Sequence, residues 1–150
     1  MSNPSKVLII YTGGTIGMVE DPETGSLHPF DFDHLLNEIP ELNKFDIELE
    51  AISLENPMDS SNMGPEGWVE LIGIIEENYN DFHGFVILHG SDTMAYTASA
   101  LSFLLENVNK PIVFTGSQLP IGKIRTDGKE NIITAIEIAA DYENGRPIVP

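Results

Sequence analysis

The chain has no cysteine among its 150 residues. That excludes a disulfide framework, a thiol nucleophile and a Cys-ligated zinc site, and it suits a reducing compartment. Basic residues are scarce: 7 Lys+Arg stand against 24 Asp+Glu, a formal net charge of −17. Nucleic-acid binders gain affinity by setting Lys and Arg against phosphates, and so few scattered cations cannot make that footprint. An anionic membrane surface is disfavoured by the same repulsion. No apolar run approaches the roughly 20 residues of a transmembrane helix. The start, Met1-Ser2-Asn3-Pro4-Ser5-Lys6, passes directly into a short apolar stretch with no signal-peptide core. The expectation is a soluble intracellular protein with no nucleic-acid or membrane partner. What remains is ordinary globular composition, 41% hydrophobic and 21% charged. A chain of this length buries roughly 70% of its unfolded surface, so one domain, or most of one, is expected.

Val7 to Tyr11 is a continuous apolar run stopped by Gly13-Gly14 and reads as a buried strand. Residues 18–29, with Pro22, Gly25 and Pro29 among acids, read as a loop or irregular hairpin. Phe32 to Ile39 suits a short helix capped by Asp31 and stopped before Pro40. Ile47 to Leu54 alternates apolar with acidic residues, the pattern of a strand with one wet face. Pro65 opens a longer helix, in which Trp68, Leu71, Ile72, Ile75 and Tyr79 recur at helical spacing. Phe85 to Leu88 and Ile112 to Thr115 read as further buried strands. Between them lies a helix capped by Ser91 or Asp92, with Ala95, Ala98, Leu101, Leu105 and Val108 on one face. Asp127 with Glu130 resembles a capping box, opening a helix through Ile132, Ile136 and Ala139. Apolar strands alternating with helices predict an α/β fold: a three-layer, mostly parallel, Rossmann-like sheet with helices on both faces. Pro147-Ile148-Val149-Pro150 looks like the opening of another strand, so the chain is expected to be the N-terminal part of a longer, two-domain protein.

Ligands of open parallel sheets bind outside the carboxyl ends of the strands. Four polar segments fall there: Thr12 to Gly17, Asn56 to Met63, His89 to Thr93, and Thr115 to Gln118. The first is a poor phosphate loop, because it lacks both G-x-G-x-x-G spacing and a lysine, and no helix follows it. Its paired glycines let the backbone turn sharply and a ligand approach Thr15, whose β-branched side chain is stiff. Equally, Thr15 could merely hydrogen-bond a turn. Ser91 and Asp92 could relay a proton and bind an ammonium, or simply cap the next helix. Asp59, Ser60 and Ser61 could grip a zwitterion or form a plain loop. His89, closing a buried strand, reads as a satisfied core residue. His28, His34 and His83 share no metal spacing with it, so no metal site is expected.

Four motifs occur together and in order: Thr12-Gly13-Gly14-Thr15-Ile16, Met58-Asp59-Ser60-Ser61-Asn62-Met63, His89-Gly90-Ser91-Asp92-Thr93-Met94-Ala95-Tyr96, and Thr115-Gly116-Ser117-Gln118. Over residues 6–150 the chain closely resembles the N-terminal domain of type I, cytoplasmic L-asparaginases. The resemblance implies hydrolysis of L-asparagine to L-aspartate and ammonia, without a cofactor, in a cytoplasmic homodimer or homotetramer. It implies that Thr15 is the nucleophile, and that Ser91 and Asp92 are the second catalytic hydroxyl and its neighbouring carboxylate. Asp59, Ser60 and Ser61 then correspond to the substrate-gripping loop, with Ser91 and Asp92 also touching substrate. Ser117 corresponds to a position whose backbone carbonyl faces the leaving amide.

The chain departs from the family pattern in three places. Ser91 stands where threonine is usual, which keeps the hydroxyl but loses the methyl that fixes χ1. The stretch Gly25-Ser26-Leu27-His28-Pro29 lacks the tyrosine of the family's mobile loop. The family's catalytic lysine falls beyond Pro150, and the spacing of Lys123 and Lys129 gives no substitute, so the 150-residue polypeptide alone is expected to be inactive. Two alternatives are an asparaginase-like, ammonia-generating subunit of a tRNA-dependent amidotransferase and a non-catalytic amino-acid binding module.

Overall fold

A computed structural model describes residues 4–21, 23–28, 31–143 and 146–147. Strand β1 (Ser5–Tyr11) is followed by a 3-10 turn at Thr15–Gly17 and by the antiparallel pair β2 (Val19–Glu20) and β3 (Leu27–His28). Then come α1 (Phe32–Glu38), β4 (Ile47–Ser53), α2 (Pro65–Asn78) and β5 (Gly84–Leu88). Helix α3 (Met94–Leu104), β6 (Ile112–Thr115) and α4 (Gly128–Ala140) complete the main body. The main sheet has order β4-β1-β5-β6, and every neighbouring pair in it is parallel.

The uninterrupted apolar run of β1 is explained by its place inside the sheet. Val7, Ile9 and Tyr11 pack with Leu35 of α1, with Ile39 just after it, and with Ile132, Ile136 and Ala139 of α4. Leu8 and Ile10 pack on the opposite face with Leu71 and Ile75 of α2 and Leu101 of α3. These side chains are fully or almost fully buried. Each buried Val, Leu or Ile among them contributes about 1.5–3 kcal/mol of hydrophobic stabilisation. Helices therefore cover both faces, and the expected three-layer α/β architecture is present. Strand β4 lies at the sheet's edge, and its alternation follows from that: Ile47, Leu49 and Ala51 pack inward while Glu48 and Glu50 are exposed.

The helix boundaries follow local chemistry, with three corrections. The Asp31 side chain accepts from the Asp33 amide and caps α1, and Pro65 occupies the first turn of α2, both as expected. Helix α3, however, is capped by neither Ser91 nor Asp92. It starts after Thr93, and it stops at Leu104, short of the expected Val108. The capping box at Asp127 and Glu130 does not form either. Asp127 makes no side-chain cap; the Thr126 hydroxyl instead accepts from the Gly128 amide at 3.0 Å. At the other end, β7 (Tyr142–Glu143) pairs antiparallel with β8 (Arg146–Pro147), so Pro147 belongs to a small separate sheet. The rest of the expected terminal strand, residues 148–150, lies outside the described residues.

Strand order positions the site. The chain leaves β1 towards β4 on one side, and leaves β5 towards β6 on the other. The carboxyl ends of β1 and β5 thus flank a topological switch point, where open α/β sheets place their ligand crevice.

Candidate active site

Thr12, directly after β1, is buried and ties two strand ends to a third loop. Its hydroxyl donates to the Leu88 carbonyl at 3.0 Å, and its own carbonyl accepts from the Met58 amide at 3.0 Å. Gly13 and Gly14 then turn with φ of 126° and 86°. A β-carbon on Gly13 would meet the Met58 carbonyl oxygen at 1.9 Å, and one on Gly14 would lie 2.7 Å from the Gly90 Cα and N. Only bare backbone lets the ends of β1 and β5 approach this closely. Thr15 emerges half-buried from the contact. Its carbonyl accepts from the Met18 amide at 3.1 Å, but no described hydrogen bond engages its hydroxyl. A turn-bonding role for that hydroxyl therefore lacks a partner.

At the end of β5, Ser91 and Asp92 are exposed and make no helix cap. Ser91 Oγ accepts from Gln118 Nε2 at 3.1 Å, which leaves its own proton free to donate. Thr93 turns its hydroxyl to the Ser60 carbonyl at 2.7 Å, joining α3 to the 59–62 loop. His89 is a fully buried core residue, as expected, with both ring nitrogens engaged. Burial lowers its pKa, partly opposed by the bond to the Gly90 carbonyl.

The 59–62 loop is a short 3-10 turn. Asp59 Oδ1 accepts from the Ser61 amide at 2.8 Å and from the Ser61 hydroxyl at 2.7 Å. Those bonds hold the Asp59 carboxyl below the usual carboxylate range. Asp59 and Ser61 thus face each other on the exposed side, while Ser60 is buried against Gly90, where a β-carbon would meet its Oγ at 2.6 Å. Loop 117–119 brings the last expected residue. The buried Ser117 donates its hydroxyl to the Leu119 carbonyl at 2.6 Å, so its side chain shapes the loop.

Two residues not expected from the sequence organise this end of the sheet. Gln118 reaches Ser91, and the Asp127 carboxylate accepts from the amides of Gln118 (3.0 Å) and Leu119 (3.2 Å). The same bonds, that from the Gln118 amide foremost, lower the pKa of Asp127. An Asp just before a helix reads as a cap, and nothing in its spacing marks a clamp on a loop nine residues back. Among the described residues no group of three His, Asp or Glu could hold a metal ion, and no helix is long and apolar enough to cross a membrane.

The result is an α/β protein in which the loops after β1, β4, β5 and β6 meet at the carboxyl end of the parallel sheet and bring hydroxyl- and carboxylate-bearing residues there. A family model described as Asparaginase, N-terminal, matches residues 6–149. The chain belongs to the asparaginase family. It is 45% identical over 142 residues to L-asparaginase 1 of Escherichia coli (strain K12), covering 91% of this chain and 40% of that protein. It is 39% identical over 135 residues to a glutamyl-tRNA(Gln) amidotransferase subunit of Thermoplasma volcanium, covering 89% of this chain and 32% of that one. The crystal structure of L-asparaginase I from Vibrio cholerae superposes with a TM-score of 0.81 at 42% identity, covering 92% of this chain and 42% of that one. The chain thus spans about 40% of the length of its L-asparaginase 1 relative.

Proposed function

We propose that residues 1–150 form the N-terminal domain of a cytoplasmic, homo-oligomeric L-asparaginase, and that Thr15 is its nucleophile. The observation that carries this reading is the Gly14–Gly90 backbone contact, which brings the Thr15 turn against the Ser91-Asp92 turn. Asp59, Ser60 and Ser61 grip the α-carboxylate and α-amine of asparagine. The Thr15 hydroxyl attacks the side-chain amide carbon as its proton passes to a neighbouring hydroxyl or water, since a neutral alcohol is a weak nucleophile. The tetrahedral oxyanion takes hydrogen bonds from backbone N–H groups at the strand-end turns. Ser91, kept as a donor by Gln118, relays the proton to the departing nitrogen with Asp92 beside it. Ammonia leaves, an aspartyl ester remains on Thr15, and water hydrolyses it to aspartate. No cofactor enters.

The amidotransferase reading shares the ammonia-releasing chemistry, but these 150 residues, with 7 Lys+Arg against 24 Asp+Glu, do not favour it with a basic RNA-facing surface of their own. Thr15→Ala in the full-length protein separates an enzyme from an amino-acid binding module. We expect ammonia release to vanish while aspartate binding persists. Unchanged turnover would remove Thr15 from the nucleophile's role.

A further inference from the structure

His89 takes no part in the chemistry above, yet it is fully buried and every hydrogen-bonding atom of its ring is used. Its Nδ1 lies 2.7 Å from the Gly90 carbonyl oxygen. A carbonyl only accepts, so Nδ1 carries the ring proton. Nε2 is then an acceptor, and it lies 2.9 Å from the Thr97 hydroxyl, which donates to it. Thr97 Oγ1 in turn accepts from Trp68 Nε1, a group that only donates, at 3.2 Å. Donation thus runs one way, from Trp68 of α2 through Thr97 of α3 and His89 to the Gly90 carbonyl. The chain fixes the tautomer of a buried, neutral imidazole.

The consequence lies in the next peptide bond. In a planar trans peptide the C=O and N–H point in opposite directions. With the Gly90 carbonyl held to the ring, the Ser91 N–H points away from it, and no described residue accepts it. Gly90 lacks a side chain that would resist rotation of this peptide, and the bond to the ring adds a directional restraint to its close contacts with Gly14 and Ser60.

We propose that His89 is a positioning residue, whose Nδ1–H holds the Gly90–Ser91 peptide so that the Ser91 N–H is presented to the bound substrate. This inference rests on the asparaginase reading of the site. Two substitutions divide the ring's roles. His89→Asn keeps a donor near the Nδ1 position, whereas His89→Gln keeps only a group near Nε2. In the full-length protein, we expect His89→Gln to lower kcat about tenfold or more with KM little changed, the loss of a misaligned oxyanion donor. His89→Asn should stay within about threefold of the parent. A merely structural role predicts losses that follow the thermal stability of each variant, with no split between them, and that result overturns the inference. A second readout does not need turnover. On titration with L-aspartate, the Ser91 amide NMR signal should shift in the parent and in His89→Asn, and much less in His89→Gln. A Ser91 signal silent in the parent, or equal shifts in both variants, overturns the proposal. Absence of asparagine turnover in the parent overturns the asparaginase reading, and the amide titration still decides the role of His89.

Discussion

The carboxyl ends of β1 and β6 reach the same crevice by opposite means. After β1 the chain is held by what it lacks: Gly13 and Gly14 carry no side chains, and their backbone rests directly on Met58 and Gly90. After β6 the chain is held by what it has: Ser117, Thr126 and the Asp127 carboxylate lace the 117–119 loop with side-chain hydrogen bonds. Steric locking tolerates no substitution but does not respond to solvent conditions. Polar lacing yields in small steps, and it yields to acid. The proposed nucleophile, Thr15, lies on the rigid loop, and Gln118, which bonds Ser91, lies on the adjustable one.

The strongest way to break this contrast is Gly14→Ala. The new methyl would meet Gly90 backbone at 2.7 Å, in a residue held at φ 86°. We expect destabilisation of roughly 3 kcal/mol or more in denaturant titration, together with loss of asparagine turnover. A stable, active variant would show that the contact is not tight. Next is Asp127→Asn, which removes the charge from the acceptor of the Gln118 and Leu119 amides. On this exposed side chain the expected cost is about 1 kcal/mol after discounting for solvent. Turnover should fall more than stability, because Gln118 loses its hold on Ser91, and a proportional fall would make Asp127 a purely structural clamp. Ser117→Ala should have the smallest mutational effect. It forfeits one hydrogen bond worth about 1 kcal/mol, measurable as a lowered Tm, while turnover stays unchanged.

Acid titration sharpens the same comparison. His89, Asp59 and Asp127 all have lowered pKa values in the fold, so the unfolded chain binds more protons and stability falls with falling pH. The His89 contribution is complete above the ordinary histidine value of 6.5 and is lost as pH falls through its folded value. The Asp contributions are complete above 3.8 and are lost below it. The upper window should vanish in His89→Asn and persist in Asp127→Asn, as read from urea midpoints against pH. An upper window that survives in His89→Asn would assign it to another group.

Much of this was legible in the residues, for physical reasons. The β1 run Val7 to Tyr11 predicts burial on both faces, and the alternation of β4 predicts a strand with one wet face, because burial writes a period directly into composition. The Gly13-Gly14 turn and the polar strand ends pointed to the crevice by the same local reasoning. What failed was the destination of polar side chains. Ser91, Asp92 and Asp127 all precede a helix closely enough to read as caps, and local spacing does not show that α3 starts only after Thr93 or that Ser91 and Asp127 bond the 117–119 loop instead. Thr93 and Gln118 acquire their partners Ser60 and Ser91 only when the sheet assembles, and His89 meets Thr97 only when α3 folds back beside the end of β5.

The most direct measurement is to identify the covalent intermediate. The full-length protein would be mixed with L-asparagine, quenched in acid within the first turnovers and mapped by peptide mass spectrometry. The account predicts an aspartyl ester on the peptide containing Thr15, absent from Thr15→Ala. An aspartyl adduct on any other residue, formed at the rate of turnover, would contradict it.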